Sequence, residues 1–274
     1  QSYAKKMASQ DFLDHTGKDG STPGSRIQKA GYDWMRFLAE YKLGGCLADD
    51  MGLGKTLQTI TFLEHTLSKD KRAKCIIVAP LSLVFNWRQE IEKFAPHQST
   101  YVFHQGNRDV QEFINSHTQI MITSYGTLRS AIEELSLVPW NTVVIDESHN
   151  IKNPGAQITK AVYRLSAKNR IALSGTPVMN NTFDIYSQLN FLLPSLLGGP
   201  EFFKREYANP IDRDMNAEKT IALQKVTSPF VLRRTKKQVA ADLPDKTEAV
   251  MWCEMGEHQK EAYENIKKQI KANV

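Results

Sequence analysis

Six short apolar runs punctuate the chain, at residues 44–48 (GGCLA), 75–79 (CIIVA), 101–103 (YVF), 120–122 (IMI), 143–145 (VVI) and 171–173 (IAL). None shows the polar alternation of a half-exposed strand, so they predict strands buried on both faces, as in a parallel sheet covered by helices. Between them, Leu57, Ile60, Leu63 and Leu67 recur at helical spacing, as do Leu83, Trp87, Ile91 and Phe94. Alternating strand and amphipathic helix predicts a doubly wound α/β fold.

After Ser174 the strand signals are expected to stop. Ile185, Leu189, Leu192 and Leu193 form a helical stripe that Pro194 and Gly198-Gly199 end, so a helical appendage should follow the sheet. Residues 1–24, with the run GKDGSTPGS, read as a flexible lead-in. A last helix is expected over 257–270, acidic early and lysine-rich late, with Ala262, Ile266 and Ile270 on one narrow apolar edge suited to docking. The expected divisions are a lead-in over 1–24, a sheet-bearing lobe over 25–182, a helical extension over 183–245 and a connector over 246–274.

Composition narrows the class without naming a function. Of 274 residues, 41% are hydrophobic and 24% charged, ordinary globular proportions that exclude a collagenous or disordered chain. No stretch approaches the roughly 18–20 apolar residues that span a bilayer, and the first residues lack the apolar run of a secretory leader. An intracellular protein with no membrane partner is expected. The three cysteines, Cys46, Cys75 and Cys253, are too scattered for a disulfide framework and read as reduced, mostly buried thiols. A net charge of +5 permits an anionic partner but does not require one.

The densest chemistry lies in LADDMGLGKT, residues 47–56, between a strand and a helix. Glycines at 52 and 54 let backbone N–H groups and a helix N-terminus face a phosphate chain, Lys55 adds a point charge, and the Thr56 hydroxyl suits Mg²⁺. The longer pattern GxxxxGK[ST] has glycine where this chain has Asp49. The plain alternative is a Gly-rich turn with a surface lysine. Ninety-one residues after Lys55, the run VVIDESHN brings Asp146, Glu147 and His149 to the end of a buried strand, where open α/β sheets place ligands. Asp146 suits Mg²⁺ and Glu147 suits deprotonating water. A lone Asp-Glu pair there could instead be a solvated helix start.

Together these motifs resemble the superfamily-two helicase-like ATPases, and within them the Swi/Snf family of double-stranded-DNA translocases and chromatin remodellers. DMGLGKT resembles motif I, VAPLSLVFNW (78–87) motif Ia, ITSYGTLR (122–129) motif Ib, DESH motif II and LSGTP (173–177) motif III, and SPFVLRRTKKQVAADLPDK (228–246) resembles a later family signature. The resemblance covers about residues 25–274. It implies a RecA-like P-loop NTPase lobe with a mostly parallel sheet and a C-terminal helical appendage.

The resemblance also implies roles. Lys55, Asp146 and Glu147 would be catalytic. Gln28 would read adenine, although Gly24-Ser25-Arg26-Ile27 precedes it where the family has an Arg-Pro-Tyr run. ATP would sit on Asp50, Met51, Gly52, Leu53, Gly54, Lys55 and Thr56, with Mg²⁺ on Thr56 and Asp146. His149, Ser174 and Thr176 would couple nucleotide state to lobe position. Pro80, Leu81 and Ser82 with Thr123, Ser124 and Tyr125 would face DNA, although Ser82 and Ser124 could equally cap helices. The run Arg233, Arg234, Lys236, Lys237 could be a solvated face, a DNA phosphate contact or a brace across two lobes. The tryptophans read as packing residues.

The family's second RecA-like lobe, with its arginine finger, is expected beyond Val274. Alone, this chain should therefore bind ATP-Mg²⁺ weakly and hydrolyse it very slowly, without DNA stimulation. The expected activity is that of the first lobe of an ATP-driven duplex-DNA translocase acting on a nucleosome, a polymerase or another DNA-bound complex. It would work in the nucleus of a eukaryote or the cytoplasm and nucleoid of a bacterium. A strand-separating helicase and a nucleotide-gated module acting on a protein such as RNA polymerase are the alternatives.

Overall fold

The structure is a computed structural model and describes residues 23–104, 106, 108–175 and 182–239, with Gly256, Gln259, Lys260, Tyr263, Ile266 and Lys267. The expected lead-in, most of the connector, Thr176, Trp252 and Cys253 lie outside the described residues.

In chain order the described elements begin with α1 (Pro23–Glu40), β1 (Gly45–Leu47), α2 (Lys55–Lys69), β2 (Cys75–Ala79), α3 (Val84–Phe94), β3 (Thr100–Phe103), α4 (Val110–Asn115), β4 (Ile120–Ser124), α5 (Tyr125–Ser130) and α6 (Ile132–Leu135). They continue with β5 (Trp140–Ile145), α7 (Gln157–Arg164), β6 (Ala167–Leu173), α8 (Thr182–Leu192), α9 (Pro200–Phe203), α10 (Asn209–Asp212), α11 (Ala217–Thr227), β7 (Val231–Leu232) and α12 (Lys236–Val239). The strands form one sheet in the order β3-β4-β2-β5-β6-β1-β7, all parallel.

Strand alternation explains the two helical layers. Successive side chains point to opposite faces, so Ile76, Val78, Val143 and Ile145 pack with Leu128 of α5, Val162 of α7 and Leu189 of α8. Cys75, Ile77, Val144 and Ile171 pack with Met35 of α1, Ile60 and Leu63 of α2 and Trp87 and Ile91 of α3. Both faces of the central strands are covered, which is why the apolar runs of β2, β4 and β5 carry no polar alternation, while β3 and the first half of β6 are only partly buried.

One expectation fails. The strands do not stop at Ser174: β7 adds itself outside β1, pairing Val231 with Cys46 and Leu232 with Leu47. Two residues are too few for a periodic signal. The chain divides into two units, Gln1–Ala241 and Asp242–Val274. Within the second, Gln259, Lys260, Tyr263, Ile266 and Lys267 are helical, inside the helix expected over 257–270.

Candidate functional site

The loop between β1 and α2 turns on two glycines in the left-handed region, Gly52 at φ 87° and Gly54 at φ 78°. A side chain is disfavoured at both by its own backbone. At Gly54 a Cβ would also lie 2.6 Å from the Gln28 amide nitrogen, so α1 sets Gln28 at the loop's edge. Met51 is exposed, Asp50 partly buried and Asp49 wholly buried. Lys55 opens α2, and its ammonium donates to the Asp49 carbonyl at 2.6 Å and the Asp50 carbonyl at 3.4 Å. Burial pulls the Lys55 pKa below its ordinary value, against the opposing pull of Asp49, Glu147, Asp146 and Asp50.

The second half of the site stands at the end of β5. Asp146 extends the sheet through its N–H to Val78 O at 2.8 Å, and its carbonyl accepts from the Tyr125 hydroxyl at 2.7 Å. Its carboxylate accepts from Trp87 Nε1 at 2.8 Å on one oxygen and from the Glu147 N–H at 2.8 Å on the other. Burial raises the Asp146 pKa, partly offset by those two donors. An anion disfavoured by burial yet held in a fixed direction is receptive to a cation. Glu147 adopts φ 47° and ψ 59°, left-handed for a non-glycine residue. That conformation costs on the order of 1–3 kcal/mol and clusters at functional sites.

The halves meet at Gly175. The point where a Gly175 side chain would begin lies 3.6 Å from Glu147 Oε1 and 3.9 Å from Lys55 Nζ. The lysine, the base candidate and motif III therefore share one rim of the sheet. Glu147's other oxygen pairs with His149 Nδ1 at 3.3 Å. His149, expected to link phosphate to motif III, stands within pairing distance of Glu147. Ser174 is buried at the end of β6, its N–H donating to Leu47 O at 3.1 Å. The link from motif II toward the chain after motif III runs through Ser148, whose hydroxyl donates to Gln188 Oε1 at 2.9 Å, and through Ser187, which donates to Ile151 O. Polar residues in the apolar stripe of α8 were the only signal of this link. Trp87, expected merely to pack, and the Asp49–Arg234 pair were also missed.

The expected DNA-facing set divides. Leu81 and Ser82 are exposed on a short turn after Pro80. Thr123, Ser124 and Tyr125 are buried. Thr123 donates to Phe103 O at 3.0 Å, and Ser124 caps α5 by accepting from the Thr127 N–H at 3.1 Å. With Tyr125 bonded to Asp146, these three side chains are occupied internally in this structure. Of the two serines, Ser124 caps a helix and Ser82 does not. Arg233 is exposed, whereas Arg234 is half-buried and its guanidinium pairs with Asp49 inside the lobe.

The donor set fits a Mg²⁺-bound triphosphate: glycines free of Cβ atoms, an ammonium, the Thr56 hydroxyl at the start of α2 and the fixed Asp146 carboxylate are hard oxygen and cationic partners for phosphate and magnesium. Among the described residues no helix is long and apolar enough to cross a membrane.

The SNF2-related domain family matches residues 27–274. The chain is 37% identical over 247 residues to the putative ATP-dependent helicase/translocase YwqA of Bacillus subtilis, covering 88% of this chain and 27% of that protein. It is 36% identical over 273 residues to the TATA-binding protein-associated factor mot1 of Schizosaccharomyces pombe, covering 90% and 14%. The chain thus spans about a quarter or less of these relatives. The solved SWI2/SNF2 ATPase core of Sulfolobus solfataricus in complex with dsDNA superposes with a TM-score of 0.72 at 41% identity, over 89% of this chain and 53% of that one.

Proposed function

The chain belongs to the SNF2-related family, and on that footing we propose that it is the first ATP-binding lobe of a motor that moves along duplex DNA and remodels protein complexes bound there. The observation that carries this reading is the convergence of Lys55 and Glu147 on Gly175. Supporting it are the Sulfolobus solfataricus core, solved with dsDNA, and the TATA-binding protein-associated factor among the relatives. In this reading residues 183–245 extend the lobe and 246–274 lead to a second one.

Lys55 leaves its two carbonyl partners to meet the β and γ phosphates, and the backbone N–H groups of residues 52–56 line the remaining oxygens. Gln28 offers its amide to the adenine edge. Thr56 and Asp146 would hold magnesium, which when bound would neutralise charge developing on the phosphates. Glu147, steered by its backbone and by His149, takes the proton of the attacking water. Pro80, Leu81, Ser82 and Arg233 supply the surface for the DNA backbone, where contacts position without reading sequence. An arginine from the second lobe completes the site and is worth about 10³–10⁵ in rate, so this lobe alone turns over very slowly.

The test uses the full-length protein. DNA should stimulate ATP hydrolysis, and ATP should drive displacement of a third strand from a triplex. Unwinding of a duplex in place of triplex displacement would favour the helicase alternative, and loss of both activities with nucleotide binding intact would favour a gated binding module.

A further inference from the structure

Asp49 occupies the place where the general phosphate-loop pattern has its first glycine, and it is wholly buried. A buried carboxylate is retained only with compensating charge and hydrogen bonds. Its partner arrives from 185 residues downstream: Arg234 Nε donates to Asp49 Oδ1 at 2.9 Å, a terminal guanidinium nitrogen donates to Oδ2, and the Arg234 backbone N–H donates to Oδ1 at 3.1 Å. The same guanidinium donates to Ile27 O at 2.6 Å and to Gln58 Oε1 at 3.0 Å. Gln58 in turn donates to Leu53 O at 3.1 Å.

One side chain therefore joins the phosphate loop, the residue before Gln28, the helix that Lys55 opens, and the exit from β7. Gly31 on α1 clears the space, since a Cβ there would lie 1.8 Å from Gln58 Oε1 and 2.9 Å from Arg234 Nη2. Backbone pairing runs alongside: the Ala48 N–H donates to Leu232 O at 2.7 Å, the Asp50 N–H to Arg234 O at 3.0 Å and the Lys236 N–H to Asp50 Oδ2 at 3.0 Å. Lys236 Nζ lies 3.6 Å from where a Gly52 side chain would begin.

We propose that Arg234 is a positioning residue for the nucleotide, fixing the phosphate loop and the station of Gln28 together and tying both to segment 232–239. This rests on the ATP reading above. Because binding linkage is reciprocal, occupancy of the loop is felt in that segment, and displacement of the segment alters nucleotide affinity. A merely structural brace would hold the fold and leave affinity alone.

The test, run on the full-length protein, measures affinity for a fluorescent ATP analogue with Mg²⁺, melting temperature, and amide hydrogen exchange. Arg234→Lys keeps the charge but loses the fork, and Asp49→Asn with Arg234→Gln removes both charges, avoiding the unpaired carboxylate that a single removal leaves. Both variants should weaken analogue binding by about tenfold or more. In the unaltered chain the analogue should slow exchange at the Asp50, Arg234 and Lys236 amides. Arg164→Lys, in an exposed pair with Glu133, should be silent.

Folded variants that bind like the unaltered chain would overturn the proposal. If the double variant does not fold, exchange in the unaltered chain decides, and no change at 232–236 on binding would overturn it. Failure of the unaltered chain to bind the analogue would strike the ATP reading itself, whereas normal binding with silent variants strikes only Arg234.

Discussion

Trp87 Nε1 donates a 2.8 Å hydrogen bond to Asp146 Oδ2, joining α3 to the end of β5. The indole is 1% exposed, and the other carboxylate oxygen accepts the Glu147 N–H, so both oxygens are directed. Trp87 stands on the helix that follows the exposed turn at Leu81–Leu83. A shift of that turn has a direct mechanical route to the carboxylate proposed to hold magnesium.

Trp87→Phe keeps an aromatic ring but removes this donor together with part of the buried indole's bulk, so the melting temperature is read beside the rate to separate lost packing from the lost hydrogen bond. A hydrogen bond to a charged group is worth about 1.5–3 kcal/mol, so hydrolysis by the full-length protein should fall about 10- to 100-fold and need more Mg²⁺ for half-maximal rate. A magnesium titration of the DNA-stimulated rate checks this. An unchanged midpoint would separate Trp87 from the metal.

Glu147→Gln preserves size and the pairing reach toward His149 but cannot accept a proton. Hydrolysis should drop by about 10²–10⁴, while analogue binding persists because Lys55 and the loop are untouched. Equal loss of binding and rate would reassign Glu147 to holding the nucleotide.

Gly54→Ala meets two obstacles, the left-handed backbone at φ 78° and the Gln28 amide 2.6 Å from the new Cβ. The first costs about 1 kcal/mol or more, and the second is relieved if Gln28 is shortened. The expected melting temperature is lowest for Gly54→Ala alone and partly recovers with Gln28→Ala, while analogue affinity does not recover. Strict additivity of the two changes would place Gln28 away from the loop.

Cys46 and Cys75 are buried, and burial pushes each thiol from its ordinary 9.0 up to about 12. The unfolded chain loses these protons above about pH 9 while the fold keeps them to about 12, so their contribution is full below pH 9 and is lost as pH rises toward 12. Denaturant melts between those values should show falling stability, with a shallower slope for Cys46→Ala with Cys75→Ala. At pH 8 neither thiol should be alkylated in the native state.

The strands of this fold were legible because burial on both faces leaves continuous apolar runs, and GLGKT and DESH were legible because phosphate chemistry demands those residues at close spacing. What joins the motifs was not. Arg234 and Asp49 lie 185 positions apart, and each looks like an ordinary surface charge until β7 brings them together. Ser148 and Gln188 likewise meet only through packing of α8 on the sheet. Thr123, Ser124 and Tyr125 stayed ambiguous because a hydroxyl that caps a helix and one that meets a phosphate are the same residue types.

That ambiguity yields the sharpest contrast between neighbouring motifs. Ser124 accepts from the Thr127 N–H at the start of α5, so Ser124→Ala should lower stability by about 1 kcal/mol and leave DNA affinity and its salt dependence unchanged. Ser82 is exposed and caps nothing, so Ser82→Asp should leave the melting temperature in place while weakening duplex binding by the full-length protein, most strongly at low salt, where an added negative charge repels phosphate over the longest range. Thermal melts and salt-titrated DNA binding on the two variants decide the matter. If Ser124→Ala lost DNA affinity with its melting temperature intact, the buried hydroxyl would have to turn outward to meet the duplex, and the assignment of the DNA surface to residues 80–82 would fail.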